Sequence, residues 1–225
     1  EGLLSVDSEG ALIPALADEY STGDDDLTWT FKLREGVKWV DKNGEEKADC
    51  TAQDFLTGLE FVMNYHKNAS TNISMPQEMI QGADEYYKYT KGLSEEEGRA
   101  LTADEGSKFL EMVGIEAPDD YTVVYHCTSE LPYFPTVATY NCLYPASQAL
   151  IDELGIDGFL ACDDTTMWFN GPYLLTSYIP QNEKVLTKNE SYWDTESQRF
   201  DTVTIRMIES LDTGFQLYQS GDLDR

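Results

Sequence analysis

Two histidines, four cysteines and a run of three aspartates are where this chain would first be searched for chemistry. A catalytic or metal-binding histidine needs a partner held at fixed geometry. His66 and His126 stand sixty residues apart with no partner motif beside either. The spacing H-E-x-x-H, which sets two imidazoles on one helix face for zinc, does not occur. Neither does a Gly-rich phosphate loop or a G-x-S-x-G nucleophile elbow. Cys50, Cys127, Cys142 and Cys162 form no C-x-x-C pair, and only Cys127 has a histidine next to it. Zinc sites need clustered ligands, so free buried thiols are the expectation and a Cys142–Cys162 disulfide the lesser alternative. Asp24-Asp25-Asp26 lacks the alternating spacing of a calcium loop. With 42 acidic residues, carboxylate pairs arise by chance and do not argue for a glycosidase. No catalytic residue, metal ligand or cofactor is therefore expected.

Charge narrows the partners. Fifteen basic residues against 42 acidic ones give a net charge of −27, which repels nucleic-acid phosphates and anionic lipid alike. Apolar content of 41% and aromatic content of 12% describe a folded globule in 225 residues, room for one large domain or two small ones. No apolar run approaches the roughly 20 residues of a membrane span. The opening EGLLSVDSEG lacks the pattern of a signal peptide and does not begin with Met, so the chain reads as cut from something longer.

The clearest element is LTWTFKL, where Leu27, Trp29, Phe31 and Leu33 alternate with Thr28, Thr30 and Lys32 as in a half-buried strand. Leu3, Leu4 and Val6 suggest a first strand, and Pro14 followed by ALADEY a short helix. Thr51 and Asp54 start a helix that carries Phe55, Leu56, Leu59, Val62 and Met63 on one face to about Asn64. Pro76 opens a second helix, with Met79, Ile80, Ala83 and Tyr87 spaced along it. Ser94 and Glu97 form a capping box for a third helical region ending near Gly114. YTVVYHC is a strand, LPYFPTVATY is broken by Pro132 and Pro135, and Ser147 to Leu154 is helical. Tyr173–Ile179 and Val185–Thr187 flank a polar turn as a hairpin. Thr202 to Ile208 is a further strand, and Leu211 to Tyr218 a helix stopped by Gly221. Strands and helices alternate without a strict βαβ rhythm, which points to an α/β chain with a mixed sheet and flanking helices.

Six stretches in order resemble the solute-binding proteins of peptide ABC transporters, the oligopeptide- and dipeptide-binding family. They are EGLLSVDSEGALIPALADEY, LTWTFKLREGVKW, ADCTAQDF, APDDYTVVYHCTSELPYF, NGPYLLTSYIPQNEKVLTKNESYWD and GDLD. The second carries the family's signature in Phe31, Leu33, Arg34, Gly36, Val37 and Trp39. The chain departs from the pattern in its acidity, in a longer segment from about Leu93 to Leu110, and in Cys50 beside Thr51-Ala52. The resemblance places Asn189, Tyr192 and Trp193 where the family keeps these residues after a hairpin. Two adjacent rings there read as a packing anchor, with Trp193 the more buried.

The resemblance implies part of a two-lobed periplasmic-binding-protein-like fold. Residues 1–143 would form the extra domain of the peptide-binding class and residues 144–225 a partial lobe I, with the opposite lobe outside this chain. It also implies capture of a peptide for import and delivery to the permease subunits of an ABC transporter. The full-length protein would be extracytoplasmic, as a lipid-anchored surface protein or in a periplasm, with no enzymatic activity and no cofactor. Ligand-binding residues expected by position are Asn72 and Ile73, after the first long helix, and Tyr140 and Asn141. Alternatives are an oligosaccharide or metal complex on the same fold, an acidic secreted hydrolase, or an adhesive module.

Overall fold

In the computed structural model, which describes residues 1–24, 26–68 and 73–224, the chain opens as an antiparallel hairpin of β1 (Leu4–Val6) and β2 (Leu12–Pro14). The helix expected at ALADEY is instead a strand, β3 (Ala17–Thr22). Six residues are too few to hold a helix on propensity alone. Here the backbone N–H groups of Ala15 and Ala17 donate to Leu3 O, and Tyr20 stacks on Phe31 with ring centroids 6.0 Å apart. Tertiary pairing overrides local preference.

β3 edges a four-stranded antiparallel sheet in the order β3-β4-β8-β7, with β4 at Thr28–Leu33, β7 at Ile115–Asp119 and β8 at Thr122–His126. Trp29, Phe31 and Leu33 are buried, whereas Thr28 and Thr30 are half-buried and Lys32 exposed, as the alternation requires. Trp29 lies opposite Tyr125 and Phe31 opposite Val123. Phe31, Tyr125 and Phe134 are fully buried and meet as a ring cluster with centroids 5.4–6.4 Å apart. Every named strand pairing among the described residues is antiparallel; the parallel pairs of a mixed sheet do not occur there.

Between β4 and β7 lie the hairpin β5 (Lys38–Val40) and β6 (Glu46–Asp49), then, among the described residues, five helices. These are α1 (Ala52–Met63), α2 (Ser74–Met79), α3 (Ala83–Lys91), α4 (Glu95–Arg99) and α5 (Lys108–Met112). The apolar face of α1 is buried at Phe55, Leu56, Leu59 and Met63. Gly58 lets α1 approach the following chain closely, since a Cβ there would meet Tyr144 O at 2.2 Å. The helix expected from Pro76 onward breaks into α2 and α3, because Gln81 bonds across to His126 O and Gly114 N. The region expected to run as one helix from Ser94 likewise divides, and Ser107 caps α5 by accepting from Leu110 N. α6 (Phe134–Val137) follows β8, and the helix expected over Ser147 to Leu154 forms, capped by Ser147 and ended by a non-helical Gly155; a short second helix follows it, and the two together are α7 (Gln148–Leu160).

The buried Asp54 carboxylate organises this unit. Its Oδ2 accepts from Trp39 Nε1 and Thr51 N, both at 2.9 Å, and its Oδ1 from Gln148 N at 2.9 Å. One side chain thus joins β5 to the N-termini of α1 and α7. Burial pushes its pKa above the ordinary carboxylate value, against the lowering effect of these donors.

The chain divides into two compact units, Glu1–Trp39 with Lys47–Ala161, and Val40–Glu46 with Cys162–Arg225. In the second, β9 (Tyr173–Ile179), β10 (Glu183–Lys188) and β11 (Thr202–Arg206) form an antiparallel sheet in the order β11-β10-β9. Val40 and Phe169 exchange backbone hydrogen bonds at 2.9 and 2.7 Å. α8 (Leu211–Ser220) is capped by Ser210 and ends at left-handed Gly221.

Two stability outcomes follow. Trp29→Ala should cost about 3–5 kcal/mol in chemical denaturation, as for other buried large aromatics. Asp54→Asn puts an amide N–H₂ where one carboxylate oxygen accepts, and should cost about 1–3 kcal/mol. Because the Asp54 pKa is raised in the folded state, its titration favours folding most below the ordinary carboxylate range. That contribution is lost as pH rises through the folded value, so wild type's margin over Asp54→Asn should narrow from acid towards pH 7.

Candidate functional site

Of the four residues expected to touch ligand, the structure describes three; Asn72 lies outside the described residues. Ile73 is half-buried at the N-cap of α2, where its carbonyl accepts from Gln77 N at 2.9 Å. Tyr140 is 47% exposed and Asn141 is exposed. Asn141 begins a 3-10 turn, Asn141–Leu143, that is tied by Leu143 N donating to Tyr140 O at 3.1 Å. α2 packs against this turn. The fold therefore brings together two segments well separated in sequence, one carrying Ile73 and the other Asn141.

Tyr133 and Tyr144, 53% and 39% exposed, present further rings on the segments flanking Tyr140. Sequence reasoning passed over both. The signal was available at Tyr133, which stands between Pro132 and Pro135, where no regular element can hide a ring. Tyr144 covers the N-terminus: a Cβ on Gly2 would meet its Cε1 at 2.5 Å.

Ionisable groups elsewhere are committed to structure. Glu60, 2% exposed, accepts from Tyr86 Oη, Asn64 Nδ2 and Lys67 Nζ, each at 2.7 Å. Lys67 also donates to Leu101 O, and Asn64 to Gly98 O. Burial, then the Glu60 charge, raises the Tyr86 hydroxyl pKa. His66 Nε2 lies 3.0 Å from Leu93 O, and His126 Nε2 lies 2.9 Å from Glu116 Oε1 across the β7–β8 pair. Cys50, Cys127, Cys142 and Cys162 form no disulfide with one another, and burial pushes Cys127 up to about 11, far from a reactive thiolate. Among the described residues no three His, Cys, Asp or Glu side chains cluster as metal ligands. Asp25, in the middle of the aspartate run, lies outside those residues.

The hairpin exit is fixed by Asn189, which is almost fully buried. Its Nδ2 donates to Gly171 O at 2.8 Å and its Oδ1 accepts from Ser191 N at 3.0 Å. The packing anchor beside it is Tyr192, 8% exposed, and not Trp193, which is half-buried. The rings lie 5.3 Å apart at 49°. The Asn189 turn points consecutive residues in different directions, and only one of the two can enter the core.

The family model for bacterial extracellular solute-binding proteins, family 5 Middle, matches residues 11–225. The chain belongs to this family. Curated relatives include the oligopeptide-binding protein AliA of Streptococcus pneumoniae, 32% identical over 95% of this chain and 29% of its own length. The periplasmic oligopeptide-binding protein OppA of Haemophilus influenzae is 30% identical over all of this chain and 37% of its own. The chain thus spans about a third of the curated relatives it matches. Among solved structures, Haemophilus influenzae OppA in complex with the peptide RPPGFSPFR aligns with a TM-score of 0.81 at 29% identity. It covers all of this chain and 39% of that one. The substrate-binding domain of an oligopeptide ABC transporter from Bacillus anthracis aligns at 0.78 and 27% identity, over 100% of this chain and 38% of its own. The fold is accordingly a portion of the two-lobed binding-protein architecture, of mixed α and β content as the sequence implied.

Were Tyr140 a ligand contact, Tyr140→Ala in the full-length protein would weaken ligand binding about tenfold by calorimetry while leaving the melting temperature unchanged. Unchanged affinity would remove Tyr140 from the ligand surface.

Proposed function

We propose that this chain is part of an extracytoplasmic receptor that captures peptides and hands them to the permease subunits of an ABC transporter. Family membership across residues 11–225 carries the reading, since the relatives bear the names of oligopeptide-binding proteins. Ile73, Tyr140 and Asn141, with Asn72 beside them in sequence, supply one wall of the ligand site. A wall of amide, hydroxyl and backbone groups suits a peptide main chain, whose hydrogen bonds are the same whatever the side chains. Covalent chemistry has no part in this reading. By resemblance, residues 1–143 are assigned to the extra domain of the peptide-binding class and residues 144–225 to a partial lobe I, a division that differs from the compact units, the first of which runs on to Ala161. The full-length protein works outside the cytoplasm, held at the cell surface by lipid or free in a periplasm. No described helix is long and apolar enough to cross a membrane.

Enclosure sets affinity in such a receptor. A good small-molecule site buries about 70–90% of its ligand, which one wall cannot do. Titrating a peptide pool into the full-length protein should give saturable binding, and into residues 1–225 alone binding weaker by roughly a thousandfold. Binding of oligosaccharide but not peptide by the full-length protein would overturn the reading.

A further inference from the structure

The second half of α7 is an unusual piece of helix. Gly155 interrupts it at φ 69° and ψ 167°, a conformation open essentially to glycine alone. Space does not demand the glycine, because a Cβ there would meet nothing within 4 Å; the backbone does. The helical ladder is therefore cut between residues 154 and 156, and residues 156–161 form a separate turn and a half. None of those six residues is fully buried.

Two side-chain contacts, by hydrogen bond, ion pair or ring, hold that turn to the rest of its unit among the described residues. Asp157 Oδ1 accepts from Arg99 Nη1 at 2.8 Å, with the aspartate side chain 80% exposed. Phe159 packs edge-to-face on Phe61, centroids 5.5 Å apart at 78°. Arg99 is itself held in place by Glu95 at 2.8 Å and by His66 O at 3.3 Å. Beneath lies a cavity of about 190 Å³ whose lining includes Phe61, Lys67, Ile151, Gly155 and Ile156. The turn therefore has room to move, a backbone joint on which to move, and a weak exposed ion pair holding it.

We infer that residues 156–161 are a strap, hinged at Gly155 and latched by Asp157–Arg99 and Phe159–Phe61, that opens over the amphipathic cavity between α1, α7 and the chain around Leu101. Opening exposes Phe61 and Ile156 and gives water access to the buried Lys67.

Hydrogen exchange read by mass spectrometry on the full-length protein tests this. Amides of residues 156–161 should exchange faster than those of β4 and β8. Asp157→Asn, a change at an exposed side chain, should speed the strap by about two- to fivefold, the size of an exposed ion pair, and leave the strands unchanged. Raising salt from about 0.01 M to 1 M should speed the wild-type strap but not the Asp157→Asn strap, since screening removes what the variant already lacks. Arg99→Gln should reproduce the variant. Strap amides exchanging at the rate of β4 would overturn the inference, as would a fast strap indifferent to both salt and Asp157→Asn.

Discussion

A single desolvated carboxylate holds the first unit together. Asp54 sits where a sheet hairpin and two helix starts converge, and each supplies one N–H to it. Alone, a carboxylate this deeply buried would be costly; three donors make it tolerable by replacing the water it gave up. The same donors would be orphans without it. Trp39 is drawn in by its indole nitrogen, which fixes the ring that the β5 strand buries. Gln148 is drawn in by its main chain, which fixes the start of α7 just after the 144–146 segment that Gly58 admits against α1. Geometry set at this one point extends along three elements.

Glu60, about two turns further along α1, repeats the device at the other end of the helix. Its partners Asn64, Lys67 and Tyr86 come from the C-cap of α1, the turn after it and α3. Lys67 and Asn64 reach on to the carbonyls of Leu101 and Gly98, so the long segment after Leu93 is tied to the helix by buried hydrogen bonds. A buried ion pair of this sort adds little net stability against an apolar substitute, but it admits one arrangement only. The longer segment is thereby a built part of the unit and not a loose surface insertion.

Asp54 and Glu60, the buried carboxylates among the described residues, are thus both filled by structural donors, and burial raises the pKa of the Cys127 thiol. The surface at α2 and the turn after Tyr140 carries the exposed Ser74, Glu78, Tyr140 and Asn141.

Much of this was legible in the residues. The alternation of LTWTFKL set a buried face at Trp29 and Phe31 because a strand's side chains have period two, whatever it pairs with. The Ser94–Glu97 box and the stop at Gly221 are local chemistry, complete within one helical turn, and both occur as read. Family membership was legible too, since six spaced motifs survive as sequence. Other features depended on partners distant in the chain. ALADEY became a strand because β4 offers an edge, and the helix after Pro76 broke because β8 competes for Gln81. Choosing Tyr192 over Trp193 for the core took the orientation of a turn that Asn189 locks through Gly171. That Ile73 and Asn141 belong to neighbouring segments was decided by α2 packing on the 141–143 turn. Local hydrogen bonding and periodicity are written in neighbouring residues; a contact between residues well separated in sequence exists only once the chain has folded.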